Sequence, residues 1–221
     1  MRLTNAFRNR HHPASGFSLL EVVSVLAISL TVGTFAVLSL VPVMNQQHVN
    51  NAYNTTIAAM RLARDNAISQ RTSYSVTFAN GSIPNTIVVA PTLTGFQGNL
   101  PRATYQLPPD VRFQVQTALS TTPAPDGYGS GTAPIDFGYP APATTGGGQT
   151  VVYFCPDGSS QNSTGAGNCS GMNYWSGGVV YMARNSDLLS FRAVTVWGGT
   201  GRIHGWRFYP KTGGGYLWMR Y

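Results

Sequence analysis

The chain has few charged residues, few histidines and few cysteines. Only 10% of its 221 residues are charged, 7 of them acidic, and it contains 4 histidines and 2 cysteines. The acids show no paired-carboxylate or metal-ligand spacing. Glycine motifs that hold phosphates, dinucleotides or a serine nucleophile do not occur. We therefore expect a protein that is not an enzyme, with no catalytic residues, no metal ion and no cofactor.

The two cysteines, Cys155 and Cys169, enclose 13 residues rich in Ser, Gly and Asn. In an oxidising compartment such a pair forms one disulfide, which restrains its loop by ~3 kcal/mol in the chain-entropy account. A zinc site would need two further ligands, and the nearby sequence offers neither histidine nor a second cysteine pair. We expect the disulfide.

Glycine and proline are abundant, with 25 and 14 residues, and aromatic residues reach 11%. This composition is typical of short strands that are joined by turns and packed around an aromatic core. Residues 120–149 hold 7 Gly and 5 Pro among 30 positions. We predict a long, exposed and mobile loop there.

The N-terminus changes abruptly in character. Residues 1–16 are polar and basic, whereas residues 17–44 are apolar with a single charge, Glu21. About 20 apolar residues suffice for a helix to cross a bilayer. Arginines ahead of the span keep that end in the cytoplasm and send the C-terminal bulk outward. A secretory signal peptide or an unprocessed signal anchor would share these features, but neither accounts for Glu21.

A carboxylate within lipid costs roughly 2.5–3.5 kcal/mol, so Glu21 calls for a partner. An α-amine released by cleavage between Gly16 and Phe17, on this chain or a neighbour, would neutralise it and set the register of packed helices. The alternative is that Glu21 reaches the headgroups from near the end of the span.

The segment Gly16-Phe-Ser-Leu-Leu-Glu21 resembles the processing site of type IV prepilins and pseudopilins. The resemblance implies that residues 1–16 are a leader removed by prepilin peptidase after Gly16. It also implies that the new N-terminal residue, Phe17, is N-methylated, and that Glu21 serves filament assembly.

Beyond the span, an apolar stripe at helical spacing continues the helix. Tyr53, Ile57, Met60, Ala63 and Ala67 recur every three or four residues. We predict one helix over 17–72, transmembrane over 17–44 and amphipathic over 45–72, followed by a β-rich domain over 73–221. The strands are expected at Tyr74–Phe78, Thr86–Ala90, Ala103–Leu107, Val111–Val115, Thr150–Phe154, Val179–Ala183, Phe191–Trp197, Arg202–Tyr209 and Gly215–Arg220.

Short segments in this domain are similar to the GspH/FimT minor pseudopilins. They are Ala59–Arg71, Leu107–Phe113, Phe154–Ser159, Gly178–Tyr181 and Val194–Ile203. The resemblance implies a pilin-like α+β fold, with the helix packed on two antiparallel sheets.

The same resemblance implies a low-abundance subunit that acts at the tip or in the initiation of a filament. The filament would belong to a type II secretion system or a type IV pilus. The protein would cross the bacterial inner membrane once, with its C-terminal domain in the periplasm. Its partners would be other pilin or pseudopilin subunits and the peptidase.

The C-terminal tail is basic, with six cations and one acid from Arg184 onward. In the DNA-uptake branch of that family, DNA binding is associated with a Gly-Arg-x-Arg motif. Gly201–His204 resembles it except that histidine takes the last position. The alternative function is therefore DNA binding through Arg202, His204, Trp206, Arg207 and Lys211. We favour the structural interpretation, in which Ile203 and Trp206 are core residues and Arg202 is a solvated strand end.

Overall fold

A computed structural model describes residues 16–92, 102–140, 148–161, 169, 175–185 and 187–221. Backbone contacts divide the chain into one unit that ends at Val43 and a second unit, Met44–Tyr221. The helices are α1 (Leu19–Gln70) and the short α2 (Thr117–Ser120). The strands are β1 (Tyr74–Ala79), β2 (Thr86–Pro91), β3 (Ala103–Gln106), β4 (Val111–Phe113), β5 (Ile135–Pro140), β6 (Val151–Phe154), β7 (Ser160–Gln161), β8 (Ser176–Arg184), β9 (Arg192–Trp197), β10 (Arg202–Pro210) and β11 (Tyr216–Arg220).

Helix α1 begins and ends where local geometry requires. The carbonyl of Ser18 accepts the amides of Glu21 and Val22, which closes the first turn, and the acid at Glu21 favours the positive end of the helix dipole. At the other end Arg71 takes a left-handed backbone with φ 52°, the usual geometry one residue past a helix. The helix thus ends at Gln70, close to the predicted boundary.

The part of α1 within the second unit buries one face. Of the predicted stripe, Tyr53, Met60, Ala63 and Ala67 are buried and Ile57 is partly buried. These side chains belong to a core cluster that also takes in Val76 and other residues of β1, β2 and β6, together with Val180 and Val194 from β8 and β9. The amphipathic spacing therefore predicts the packing face.

The strands form two antiparallel sheets. Sheet A has the order β3-β2-β1-β6-β7, and sheet B has the order β11-β10-β9-β8-β4, with β5 also paired to β8. All nine predicted strands are present, with ends within a few residues of the prediction. The α+β class, with a long N-terminal helix and two antiparallel sheets, is confirmed.

The prediction of a long exposed loop at 120–149 is wrong for the residues described there. Strand β5 pairs with β8 inside this range, and Tyr128, Phe137 and Tyr139 are buried. The physical reason is that β8 is buried on both faces. Its second face, with Val179 and Tyr181, requires an apolar cover that this segment supplies.

The absence of side chains on two glycines of β8 allows that cover to approach. A Cβ at Gly177 would lie 2.5 Å from the Tyr128 ring, and one at Gly178 would lie 2.4 Å from the Cα of Phe137. Both distances are shorter than real Cβ contacts, so a larger residue at either position would push the covering segment away.

The predicted disulfide between Cys155 and Cys169 is confirmed. Cys155 directly follows β6 and is buried, at 1% exposure. Nearby, α1 holds the same region, because the Arg64 side chain donates to the carbonyls of Gly158 and Thr200. The disulfide loop is thus closed covalently and joined to the helix by the hydrogen bond between Arg64 and Gly158, while the bond to Thr200 holds the β9–β10 turn.

Replacing both Cys155 and Cys169 by serine should lower the free energy of unfolding by about 3 kcal/mol, because the unfolded chain regains the entropy of the open loop. Denaturant unfolding of the variant in detergent micelles measures this change. Wild-type protein unfolded under a reducing agent should match the variant. Equal stability of the oxidised wild type and the variant would contradict the expected role of the bond.

Candidate functional site

The first candidate site lies at the N-terminal end of α1. Gly16 to Ser18 precede the helix, and Glu21 lies in its first turn. Phe17 is 81% exposed, and it lines one apolar patch together with Glu21, Val22, Val25 and Leu26. Phe17 and Glu21 therefore lie on the same side of the chain, and in the described residues no cation faces the Glu21 carboxylate.

The apolar part of α1 is exposed along its length. By length and composition this helix could cross a membrane, and none of its most apolar 18-residue stretch is buried. Side chains such as Leu30 and Phe35, at 71% and 74% exposure, would be costly in water. An exposed apolar surface of this extent is typical of a segment that contacts lipid or another protein.

The second candidate site is strand β10, which carries most of the residues of the DNA-binding hypothesis. Because side chains alternate along a strand, Arg202, His204 and Trp206 point to one face of sheet B. Gly205 and Arg207 point to the other face, toward α1. A Cβ at Gly205 would lie 1.6 Å from the Tyr53 hydroxyl, so glycine is required for the helix to pack there.

His204 and Trp206 are engaged in a polar network that crosses the outer face of sheet B. The Nδ1 of His204 lies 2.9 Å from Oδ2 of Asp126, and the Thr195 hydroxyl donates to the same oxygen. The indole Nε1 of Trp206 donates to Thr195 Oγ1 over 3.0 Å. The His204 side chain is only 10% exposed. This histidine thus positions the Asp126 segment, and its side chain leaves little surface for contact with a phosphate.

Arg207 belongs to the helix-facing side. Its guanidinium lies 5.0 Å from the centre of the Tyr209 ring, and its cross-strand neighbour is Arg192. Arg192 is 3% exposed and donates to the side chain of Asn50 and to backbone carbonyls before β9. Burial, and then the charge of Arg207, lowers the pKa of Arg192 to about 10. These two arginines are therefore part of the packing between sheet B and α1.

The five residues of the DNA-binding hypothesis consequently do not form one surface. Arg202 is an exposed strand end, His204 is partly buried against Asp126, and Arg207 faces α1. Only Trp206 and Lys211 line a common cleft, whose volume is ≈ 410 Å³.

Sequence reasoning missed the other walls of that cleft. One wall is the segment Thr122–Asp126, from the range predicted as a loop; the other is the β10–β11 hairpin with Tyr216, Leu217 and Trp218. The available sequence signal was aromatic residues at every second position on both sides of a three-glycine turn. Trp206 and Phe208 precede the turn, and Tyr216 and Trp218 follow it. This pattern predicts one aromatic face on a hairpin.

A buried carboxylate, Asp136, fastens the covering segment. It is 3% exposed and accepts the Tyr139 hydroxyl at 2.6 Å, the Gly148 amide at 2.6 Å and the Ser130 amide at 3.3 Å. Burial, together with the hydrogen bond to Asp136, raises the pKa of Tyr139. Three donors converging on one buried acid are typical of a structural anchor.

Comparison of the chain with protein-family models, with curated proteins and with solved structures finds no match in any of the three. The assignment of a function therefore rests on the geometry and chemistry of the residues described above.

Proposed function

We propose that the chain is a minor pilin or pseudopilin. It joins a filament of a type IV pilus or a type II secretion system through its N-terminal helix. The observation that carries this proposal is Glu21. It is a lone carboxylate in the first turn of an exposed apolar helix, fifth in the chain counted from Phe17. The resemblance of Gly16–Glu21 to a prepilin processing site supports the same function.

The exposed apolar surface has two successive environments in this proposal. Before assembly α1 crosses the inner membrane once, and the basic residues 1–16 keep its start in the cytoplasm. During assembly the same surface packs against the helices of other subunits. Because lipid is as apolar as the surface of another helix, this packing gains its energy from van der Waals contacts and from polar contacts between helices, not from removal of apolar area from water.

Glu21 gives that packing its register. Cleavage after Gly16 by prepilin peptidase exposes the amine of Phe17, which stays charged when N-methylated. An ion pair between this amine and Glu21 of a neighbouring subunit removes two isolated charges from an apolar interior. Helices that slide out of register would leave both charges unpaired, which is strongly unfavourable.

The second unit fits the same proposal. Its disulfide suits the oxidising periplasm, where the C-terminal domain would lie. Its core is completed by the buried face of the part of α1 that lies within this unit.

Co-expression with an active prepilin peptidase tests the proposal directly. We expect the mature protein to begin at N-methylated Phe17, as read by mass spectrometry of the N-terminal peptide. A Gly16→Val variant is a matched control, because among the described residues no atom lies within 4 Å of a Cβ built at Gly16. It should fold normally and stay uncut. An intact Met1 terminus in the wild type, with the peptidase active on a known prepilin, would refute the proposal.

A further inference from the structure

The cleft on the outer face of sheet B has no role in filament assembly as proposed above. We call it the aromatic cleft and define it by Thr122, Pro123, Ala124, Pro125, Asp126, Trp206, Lys211, Tyr216, Leu217 and Trp218. We propose that the aromatic cleft binds a neutral oligosaccharide. The inference does not depend on the proposed function, because it concerns the face of sheet B that α1 leaves uncovered.

The aromatic side chains provide the contact area. Trp206, Tyr216 and Trp218 are all partly buried, so each ring is fixed by packing and still contributes surface to the cleft. The Trp218 ring is held against Phe208 at a centroid distance of 4.7 Å, and Phe208 stacks on Tyr216 at 4.9 Å. Flat rings of this kind pack against the C–H face of a sugar ring and lose little conformational entropy in doing so.

The polar groups of the cleft suit hydroxyls and are balanced in charge. Asp126 uses Oδ2 for Thr195 and His204, whereas Oδ1 takes part in neither of those bonds. Lys211 is exposed, and among the described residues it forms no ion pair. A carboxylate accepts from sugar hydroxyls and an ammonium donates to them. The acid disfavours a polyanion and the lysine disfavours a cationic ligand, so a neutral polyhydroxyl ligand is the complementary one.

The cleft is also pre-organised. Asp126 has a left-handed backbone with φ 55°, and its carboxylate is tied to two side chains of sheet B. The opposite wall is a hairpin in regular register, with Phe208 paired to Trp218. A volume of ≈ 410 Å³ lies within the range of small-molecule sites and suits one or two sugar rings. Walls that are already in place reduce the entropy lost on binding.

The test is a titration of the full chain in a zwitterionic detergent that has no sugar headgroup. The probes are cellotetraose, maltotetraose and the tetramer of N-acetylglucosamine. Binding is measured by tryptophan fluorescence and by calorimetry at probe concentrations up to about 10 mM, which covers weak sites. We expect saturable binding of at least one probe. Trp218→Ala should weaken that binding by about tenfold or more, as truncation of a central aromatic anchor does.

Two further variants separate loss of binding from loss of folding. Trp175→Ala is the matched control, because Trp175 is 42% exposed and lies outside the cleft. This variant should bind the sugar probe with the affinity of the wild type. Lys211→Met removes an exposed ammonium without touching the core, so it should weaken binding several-fold at unchanged melting temperature. The proposal is overturned if no probe saturates, if Trp218→Ala binds as tightly as the wild type, or if a dT12 oligonucleotide binds at this cleft in preference to every sugar.

Discussion

Replacing Glu21 by alanine should leave the protein in the membrane and remove it from filaments. Insertion does not suffer, because the change deletes a carboxylate that costs roughly 2.5–3.5 kcal/mol within lipid. Assembly suffers, because the amine of Phe17 in the neighbouring subunit then enters an apolar interior without its counter-ion. We expect at least about a tenfold drop in the amount recovered with sheared filaments, equivalent to about 1.4 kcal/mol. Quantitative immunoblots of filament and membrane fractions measure it.

Two variants define what Glu21 contributes. Glu21→Gln keeps the size and loses the charge, so it should fail almost as completely as alanine if the ion pair matters. Thr31→Ala is the control on the same helix, because the Thr31 hydroxyl donates only to the carbonyl of Ile28 in the preceding turn. It should assemble normally. Wild-type incorporation of both Glu21 variants would remove the ion pair from the proposed mechanism.

Replacing Asp136 by alanine should cause the largest loss of stability in the second unit. The buried hydroxyl of Tyr139 and the amides of Gly148 and Ser130 would lose their acceptor. The buried Tyr139 hydroxyl, left unpaired, costs about 1–3 kcal/mol, and the two part-buried amides each lose a hydrogen bond worth about 1 kcal/mol, so we expect a total loss of about 3–5 kcal/mol. Denaturant unfolding of the full chain in micelles, followed by tryptophan fluorescence, measures it.

Asp187 offers a matched control for that measurement. It also accepts a backbone amide, that of Leu189, but the bond is exposed to water. Asp187 caps a single 3₁₀ turn, Leu188–Ser190, so Asp187→Ala should cost only about 1 kcal/mol, as the loss of a helix cap does. Tyr139→Phe removes one of the three donors and should cost less than Asp136→Ala. Equal effects of the two aspartate variants would show that the convergence of donors on Asp136 does not stabilise the fold.

The predictions that the structure confirms depend on local periodicity. In β1 the residues alternate strictly between buried and partly buried, and the buried face of α1 recurs every three or four residues. A residue's neighbours along the chain are enough to reveal such patterns, because the geometry of a strand or helix fixes which side chains share a face. The disulfide could be predicted just as readily, since the chain has only two cysteines.

The loop prediction for residues 120–149 failed because local composition favours one structure there and tertiary packing favours another. Residues 120–149 are rich in glycine and proline, which locally favours turns, yet β5 forms there. The deciding factor is β8, whose second face would otherwise be exposed. The alternation of Ile135, Phe137 and Tyr139 was a local signal for this strand, but the surface that the strand covers belongs to β8, about 40 residues later in the chain.

The sequence by itself determined the long apolar helix, its single carboxylate, the disulfide and nine strands, because each depends on residues that are close together or unique in the chain. Only the tertiary structure decided which polar and aromatic side chains share a surface. Trp206 and Arg207 are adjacent in sequence but lie on opposite faces of sheet B, whereas Asp126 and His204 are 78 positions apart and in contact. The physical reason is the two-residue period of a strand, which separates neighbours, combined with packing, which brings distant segments together.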